Sequence, residues 1–428
     1  MELRVLHVLG SLSIGGAENL VLDMVRHGKE CGITFHIVYM HEAPLERVKQ
    51  FSGSGVPLQY IGCGKGVGAT AHFISGLRKY IRSNHIQIVH CHNNIDAYWA
   101  FLAARRLSCR IVLSVHGFNL NFNYLQKKIR TGAFFHPDDF ILRHCSLAFV
   151  SGRTKDFYCG EYAGRSFVET APVIHNGIDA EKILLAERII LTDQDKIVPV
   201  NKGEIKPLFA MVGSFNSPAR RQQLIICRAI GELKKRFEGE LPFRFAFIGA
   251  SNSGWKGEDI VAAAGKERDV LQSGLGQGGT ILSTNVAQEQ KRNGSEDMYA
   301  ACRMYCKEHE LDGDVLFVAP RTDVPGIMRG LQCYVYASED DTFGLSVIEA
   351  VLAGVPVLCS DIPTFREVTL DGSLATLVVN TPEAFAEAVF EFMDSPKGEV
   401  ALEQKKQTAL EKYSITACLL HYKELYEK

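Results

Sequence analysis

Asp341 and Glu349 are carboxylates on either side of a chain break at Gly344, in the run Ala337-Ser-Glu-Asp-Asp341-Thr-Phe-Gly344-Leu-Ser-Val-Ile-Glu349-Ala. A strand-like stretch precedes the run. Leu345, Ile348, Val351 and Leu352 follow at helical spacing, so Asp341 falls on a loop and Glu349 about one turn into a helix. Free N–H groups around Gly344 and Leu345 suit a phosphate, and a first-turn carboxylate offers two acceptor oxygens to the cis-diol of a ribose. The plainer role for Glu349 is to complement the helix dipole. A second loop, Gly10-Ser-Leu-Ser-Ile-Gly15-Gly16-Ala17-Glu18, joins a strand to a helix. Its paired glycines let a phosphate or polar sugar approach backbone N–H groups at a positive helix end; the alternative is a tight turn with Glu18 answering the dipole.

These loops need elements to hold them. Short β-branched runs alternate with helical periodicity: strand Arg4 to Gly10, helix Ala17 to His27, strand Phe35 to Tyr39, strand Ile86 to Val89, helix Ala97 to Leu107, then strands Arg110 to Val115 and Leu147 to Val150. Asn176-Gly177 is a turn signal that closes this series. After a charged, poorly periodic stretch from Asp179 to Lys206, a second series runs through Pro207 to Val212, Arg244 to Gly249, Val315 to Val318, Cys333 to Ala337, Val355 to Cys359 and Leu374 to Val379. The expected fold class is therefore α/β, with two doubly wound Rossmann-like domains facing across a cleft and ligands at the carboxyl ends of parallel strands. The domains are expected at 1–178, joined by a C-terminal helix at about 413–428 packing back on it, and at 206–412, with an atypical insertion at about 251–297. That insertion contains Gly274-Leu-Gly276-Gln-Gly278-Gly279, a literal GxGxxG that lacks the preceding strand and following helix of a dinucleotide site and reads as a loop.

Composition narrows the classes. With 46% hydrophobic and 22% charged residues the chain is a folded protein and neither disordered nor fibrous. The longest apolar run, Ala97 to Ala104, is far short of the ~18 to 20 residues of a membrane span. The opening Met1-Glu-Leu-Arg-Val reads as a strand and not a signal peptide, and the 12 cysteines lack paired metal spacing, so a reducing cytoplasm is expected. His90-Cys91-His92 ends a strand and reads as structural; no metal site or cofactor is expected. Residues 1–177 hold 19 Lys+Arg against 12 Asp+Glu, and 12 of the 14 histidines, although the whole chain holds 47 basic against 49 acidic residues. Within this basic part Lys127, Lys128 and Arg130 stand close to Phe134 and Phe135, a combination suited to an anionic membrane surface or a lipid-diphosphate acceptor.

Taken in order, these motifs resemble the retaining glycosyltransferases of the two-domain GT-B fold, specifically glycosyltransferase family 4. The family's Gly-Gly-Ala-Glu loop stands at Gly15 to Glu18, its Val-His-Gly at Val115-His116-Gly117, and its Asn-Gly-Ile/Val-Asp hinge at Asn176 to Asp179. Val212-Gly-Ser-Phe215, Asp341 to Glu349, Gly354-Val-Pro-Val357, Ser360-Asp361 and a C-terminal helix from Tyr413 to Tyr426 continue the match. Only residues from about 251 to 297 stand apart from it.

The resemblance implies transfer of a sugar from a nucleotide-diphosphate donor to the hydroxyl of a glycan or lipid-linked acceptor, without metal or nucleic acid. It implies that Glu349 holds the ribose, that Gly15, Gly16, Phe343, Gly344 and Leu345 contact the donor, and that His116 contacts the sugar ring. Arg220 or Arg221 would stabilise the phosphate, with Arg220 preferred. Two positions depart from the pattern. Ser214 stands where an Arg is common, and Asp341 replaces Glu, withdrawing the carboxylate by ~1.5 Å. A non-catalytic subunit of the same fold, binding nucleotide sugar or a partner protein, is the competing expectation, and a same-fold epimerase or phosphorylase a further one.

Overall fold

The computed structural model describes residues 3–13, 15–63, 67–118, 137–191, 197–198, 206–215, 221–249, 298–394 and 399–428. The chain forms two units, Met1–Asp179 with Glu411–Lys428, and Ala180–Leu410. The first is a six-stranded parallel sheet of β1 (Leu3–Leu9), β2 (Ile33–Tyr39), β3 (Leu58–Tyr60), β4 (Ile88–Cys91), β5 (Arg110–Val115) and β6 (Ser146–Phe149), in the order β3-β2-β1-β4-β5-β6. Alternate residues of β1 enter opposite cores: Leu6 and Val8 pack with helices Val67–Ser83 and Asn94–Ala104, Val5 and Leu9 with α1 (Gly16–His27) and the C-terminal helix Ile415–Glu427. Burial on both faces is what turns β1, β4 and β5 into nearly continuous apolar runs.

The C-terminal helix is stitched to this unit by the Asn176–Asp179 motif. Ile178 N–H donates to the Tyr413 carbonyl at 2.8 Å and Ile415 N–H returns to Ile178 at 2.9 Å. Gly177 is required here because a Cβ would lie 2.6 Å from Cys418 Cβ and 2.7 Å from Ile415 Cα. Asp179 meets His27 at 3.3 Å.

In the second unit, β7 (Ile190–Leu191) and β8 (Ile197–Val198) form a small antiparallel pair. A second six-stranded sheet follows, of β9 (Leu208–Val212), β10 (Arg244–Ile248), β11 (Val315–Val318), β12 (Cys333–Tyr336), β13 (Val357–Ser360) and β14 (Thr376–Val378), in the order β11-β10-β9-β12-β13-β14. The two sheets share one connectivity, and in each the strand order reverses beside the first strand, between β1 and β4 and between β9 and β12. The fold is therefore the expected pair of Rossmann-like α/β units.

The differences are local. β3 was not expected, being three residues on a sheet edge with two exposed. The β7–β8 pair interrupts the stretch read as poorly periodic. The helix expected from Ala97 starts at Asn94, because the Asn93 side chain accepts from Asp96 N–H at 2.8 Å and caps it. The insertion with its GxGxxG lies outside the described residues. Among the described residues all twelve cysteines are free thiols and no helix is long and apolar enough to cross a membrane.

Gly177→Ala should destabilise the protein by about 1–3 kcal/mol, the usual cost of overpacking, seen as a lower thermal midpoint. Gly160→Ala, where a Cβ meets open space, is the control and should leave the midpoint unchanged or raised. Equal midpoints for both variants would remove the Gly177 contact from the account.

Candidate active site

Both strand-order reversals open at carboxyl ends, where ligands bind in doubly wound sheets. In the second unit the β9/β12 reversal gathers Ser214, Arg221, Tyr336 and Asp341. Arg221 packs over Gly213, whose Cβ would lie 3.1 Å from the Arg221 side chain. Its Nε donates to the Tyr336 hydroxyl at 3.1 Å and its Nη1 to the Ser214 carbonyl at 3.1 Å. Tyr336 in turn donates to Asp341 Oδ2 at 3.1 Å. Burial opposes the Arg221 charge, but Tyr336 and Asp341 outweigh it and hold its pKa above the ordinary value. Burial, then Asp341, pushes the Tyr336 hydroxyl up, so it remains protonated as the bridge.

Asp341 orders its own loop. Oδ1 accepts from Thr342 N–H at 2.7 Å and Phe343 N–H at 3.3 Å, and its carbonyl accepts from Thr364 Oγ1 at 2.6 Å. Gly344 has φ +79°, and a Cβ there would lie 2.5 Å from the Phe365 ring. Only glycine meets both demands. The helix Leu345–Leu352 starts immediately after it, so the N–H groups of Gly344 and Leu345 have no preceding turn to accept them. Phe343 is buried beneath the loop. Glu349 lies one turn in, within electrostatic reach of Tyr334, whose pKa is held well above ordinary first by burial, then by Tyr336, with Glu349 adding to it.

In the first unit the β1/β4 reversal gathers the Gly10–Glu18 loop and the ends of β4 and β5. Gly15 precedes α1, and a Cβ on it would meet the Glu18 carboxylate at 2.4 Å. Gly16 is the first helical residue, and Ser13 Oγ donates to Glu18 at 2.9 Å. Beneath the loop the buried Arg47 donates to the carbonyls of Leu12 at 3.3 Å and Ser13 at 2.8 Å and to Asn19 Oδ1 at 3.0 Å. Asp96 is buried near Gly10, and burial raises its pKa to about 7 against hydrogen bonds from Asn93 and the Gly10 backbone. His116, half-buried at the end of β5, shares a hydrogen bond with His92, Nε2 to Nδ1 at 3.1 Å, and His92 Nε2 meets His7 Nδ1 at 2.9 Å.

Of the residues expected from sequence, the structure groups Ser214, Arg221, Phe343, Gly344, Leu345 and Glu349 around Asp341 in one unit, and Gly15, Gly16 and His116 at the reversal of the other. Arg220 lies outside the described residues, as do Lys127, Lys128, Arg130, Phe134 and Phe135; Arg221 is the cation described beside Asp341. Tyr336, Arg47, Asp96, His92 and His7 were not anticipated. The Asn93-Asn-Ile-Asp96 cap signature was the one local signal available for Asp96.

These buried groups make stability pH-dependent. A free histidine titrates near 6.5. Burial holds His7 at about 3 and His116 at about 4, and keeps His90 and His92 well below the ordinary value. Below pH ~6.5 the unfolded chain therefore binds protons the native state refuses, and stability falls as pH drops. Asp96 runs the other way, taking its proton near pH 7 in the native state. So does His27, whose pKa is raised because Asp179 and Glu30 outweigh its burial. His36 is likewise lowered, by burial and then by Arg4, so five groups outweigh two and the thermal midpoint should fall by about 5 °C or more between pH 7.5 and 5. Asp96→Asn should steepen that fall; a midpoint that holds or rises on acidification contradicts it.

Comparison with known proteins agrees with this architecture. Residues 14–182 match the family model described as Glycosyltransferase Family 4, and residues 293–413 the one described as Glycosyl transferases group 1. The lipopolysaccharide core biosynthesis mannosyltransferase LpsB of Rhizobium meliloti (strain 1021) is 34% identical over 83 residues, 19% of this chain and 24% of that protein. The O-antigen chain mannosyltransferase B of Escherichia coli is 38% identical over 55 residues, 13% of this chain and 14% of that one. These matches thus span about a quarter or less of the curated relatives' length. In fold, a glycosyltransferase from Rickettsia africae ESF-5 superposes with TM-score 0.69 at 15% identity, covering 100% of this chain and 98% of that one. Anabaena HepE in complex with UDP gives 0.69 at 13% identity, covering 99% and 100%. With both family models matched in order, and the paired sheets they require in place, the chain belongs to glycosyltransferase family 4 and has the GT-B fold.

Proposed function

We propose that this protein transfers a sugar from a nucleoside-diphosphate sugar to a hydroxyl of a lipopolysaccharide- or polysaccharide-type acceptor, with retention of anomeric configuration and without a metal ion. The observation that carries the reading is the Arg221–Tyr336–Asp341 network beside the helix start at Gly344, with Glu349 one turn beyond. Departure of a nucleoside diphosphate builds negative charge on its terminal phosphate. Arg221 keeps Nη2 out of its hydrogen bonds to Tyr336 and Ser214, and that donor, with the Gly344 and Leu345 N–H groups, is suited to receive the charge. These donors are held in place before the reaction, so little reorganisation is needed when the bond breaks. Glu349 accepts from the ribose hydroxyls. In the first unit the Gly15 and Gly16 N–H groups and His116 are suited to hydrogen-bond a sugar hydroxyl. The mannosyltransferase relatives and the UDP-bound HepE structure support a sugar-nucleotide donor and a surface-glycan acceptor.

Glu349→Ala should weaken donor binding about 10- to 100-fold, since a hydrogen bond to a charged group contributes ~1.5 to 3 kcal/mol. Arg221→Ala should instead lower kcat by about 100-fold with a smaller change in KM, because the charge it meets develops in the transition state. Proton NMR of the first product formed should show the donor's anomeric configuration. Unchanged donor affinity in Glu349→Ala would overturn the site. A wild type that binds nucleotide yet transfers no sugar across a broad donor and acceptor panel would favour the non-catalytic subunit, a reading motivated by Asp341 in the usual Glu position and Ser214 in the usual Arg position.

A further inference from the structure

Three histidines, His7, His90 and His92, cluster in the interior of the first unit, where apolar side chains would pack with less difficulty, and the half-buried His116 adjoins them. His7 on β1 lies in register with His90 on β4. His7, His90 and His92 are all buried, and one nitrogen of each lies within 4.8 Å of the others. That spacing invites a metal, but His90 has neither nitrogen to spare: Nδ1 meets the Tyr426 hydroxyl at 2.7 Å and Nε2 meets Ser114 Oγ at 2.6 Å. Ser114 is itself tied to the Tyr422 hydroxyl at 2.6 Å, so His90 is a fixed pillar under the C-terminal helix. The other three rings form a separate chain, His7 to His92 to His116.

A neutral imidazole carries one N–H, so a ring that accepts at one nitrogen must donate from the other. The chain therefore has two proton orderings. In one, His116 Nε2–H donates to His92, His92 Nε2–H donates to His7, and His7 is left with a buried Nε2–H. In the other, His7 Nδ1–H donates to His92, His92 Nδ1–H donates to His116, and His116 is left with its Nδ1–H. His7 Nε2 is sealed from water and has no hydrogen-bond partner. A sealed N–H without an acceptor is rarer in folded proteins than an unused acceptor, which selects the second ordering. Burial depresses the basicity of all three rings, as the chain requires if each is to stay neutral. Among the described residues His116 Nδ1 makes no hydrogen bond, so the donor at the chain's end is free for a ligand.

We propose that His7 and His92 are positioning residues that hold His116 as its Nδ1–H tautomer, so that it donates a hydrogen bond to an oxygen of the transferred sugar. The sugar contact rests on the function proposed above; the tautomer does not.

The test is a long-range 1H–15N correlation spectrum of 15N-histidine-labelled full-length protein at pH 7.5, without ligand, read beside transfer kinetics. Wild-type His116 should show Nδ1–H. His7→Leu, which does not touch His116, should move His116 toward Nε2–H or a mixture and lower kcat/KM about tenfold, the worth of one hydrogen bond. His7→Asn, whose amide stands where Nδ1 does, should restore both. A wild-type His116 protonated at Nε2, or one whose tautomer ignores His7→Leu, overturns the proposal. If His7→Leu does not fold, the wild-type and His7→Asn spectra decide, since both must show Nδ1–H. Because the spectrum is taken on the free protein, a correct tautomer without sugar transfer refutes the transferase reading alone, and transfer with the wrong tautomer refutes the ordering alone.

Discussion

The constraint on which the molecule depends is the reversal of strand order beside the first strand of each sheet. At a reversal, adjacent parallel strands send their connections to opposite faces, and the carboxyl ends between them lose the cover of a crossing helix. Here that happens at β1/β4 and again at β9/β12. The sequence at each place answers the same need for close backbone approach. A Cβ on Gly344 would lie 2.5 Å from the Phe365 ring, and one on Gly15 would strike Glu18. Loops so tightly packed hold backbone N–H groups at helix starts in fixed directions, which is what an anionic leaving group requires.

The two units treat charge in opposite ways around this shared geometry. The second keeps formal charges, with the Arg221 cation and Asp341 joined through a tyrosine hydroxyl that burial keeps protonated. The first suppresses charge beside its reversal: burial lowers the basicity of His7, His90, His92 and His116, and Asp96 is held as an acid up to near neutral pH. The first kind of environment suits a phosphate, the second a neutral hydroxyl.

Much of the fold was legible because parallel strands buried on both faces must be short apolar runs. Arg110–Val115 and Val315–Val318 fall where the pattern puts them. The positions of Gly344 and Glu349 were legible for a local reason: a glycine between a strand and an amphipathic run marks where a helix starts, and the helix does start at Leu345. Tyr336 was not. In sequence it is one more aromatic in a buried strand, and its role exists only because β12 lies beside β9 and brings Arg221 over it. His7 was hidden in the same way, its partners lying across strands whose register no short window contains.

The central claim is that the second unit's carboxyl edge is a nucleoside-diphosphate site organised through Tyr336. Calorimetric titration of UDP and GDP into wild-type protein and Tyr336→Phe tests it most directly, since the substitution removes one oxygen and leaves the ring packing. The account predicts one-to-one binding of at least one of the two nucleotides by the wild type, weakened about tenfold in the variant by loss of the hydroxyl that joins Arg221 to Asp341, in a variant that still unfolds cooperatively, at a lower midpoint. Absence of binding by the wild type, or equal affinity in the two proteins, would contradict it.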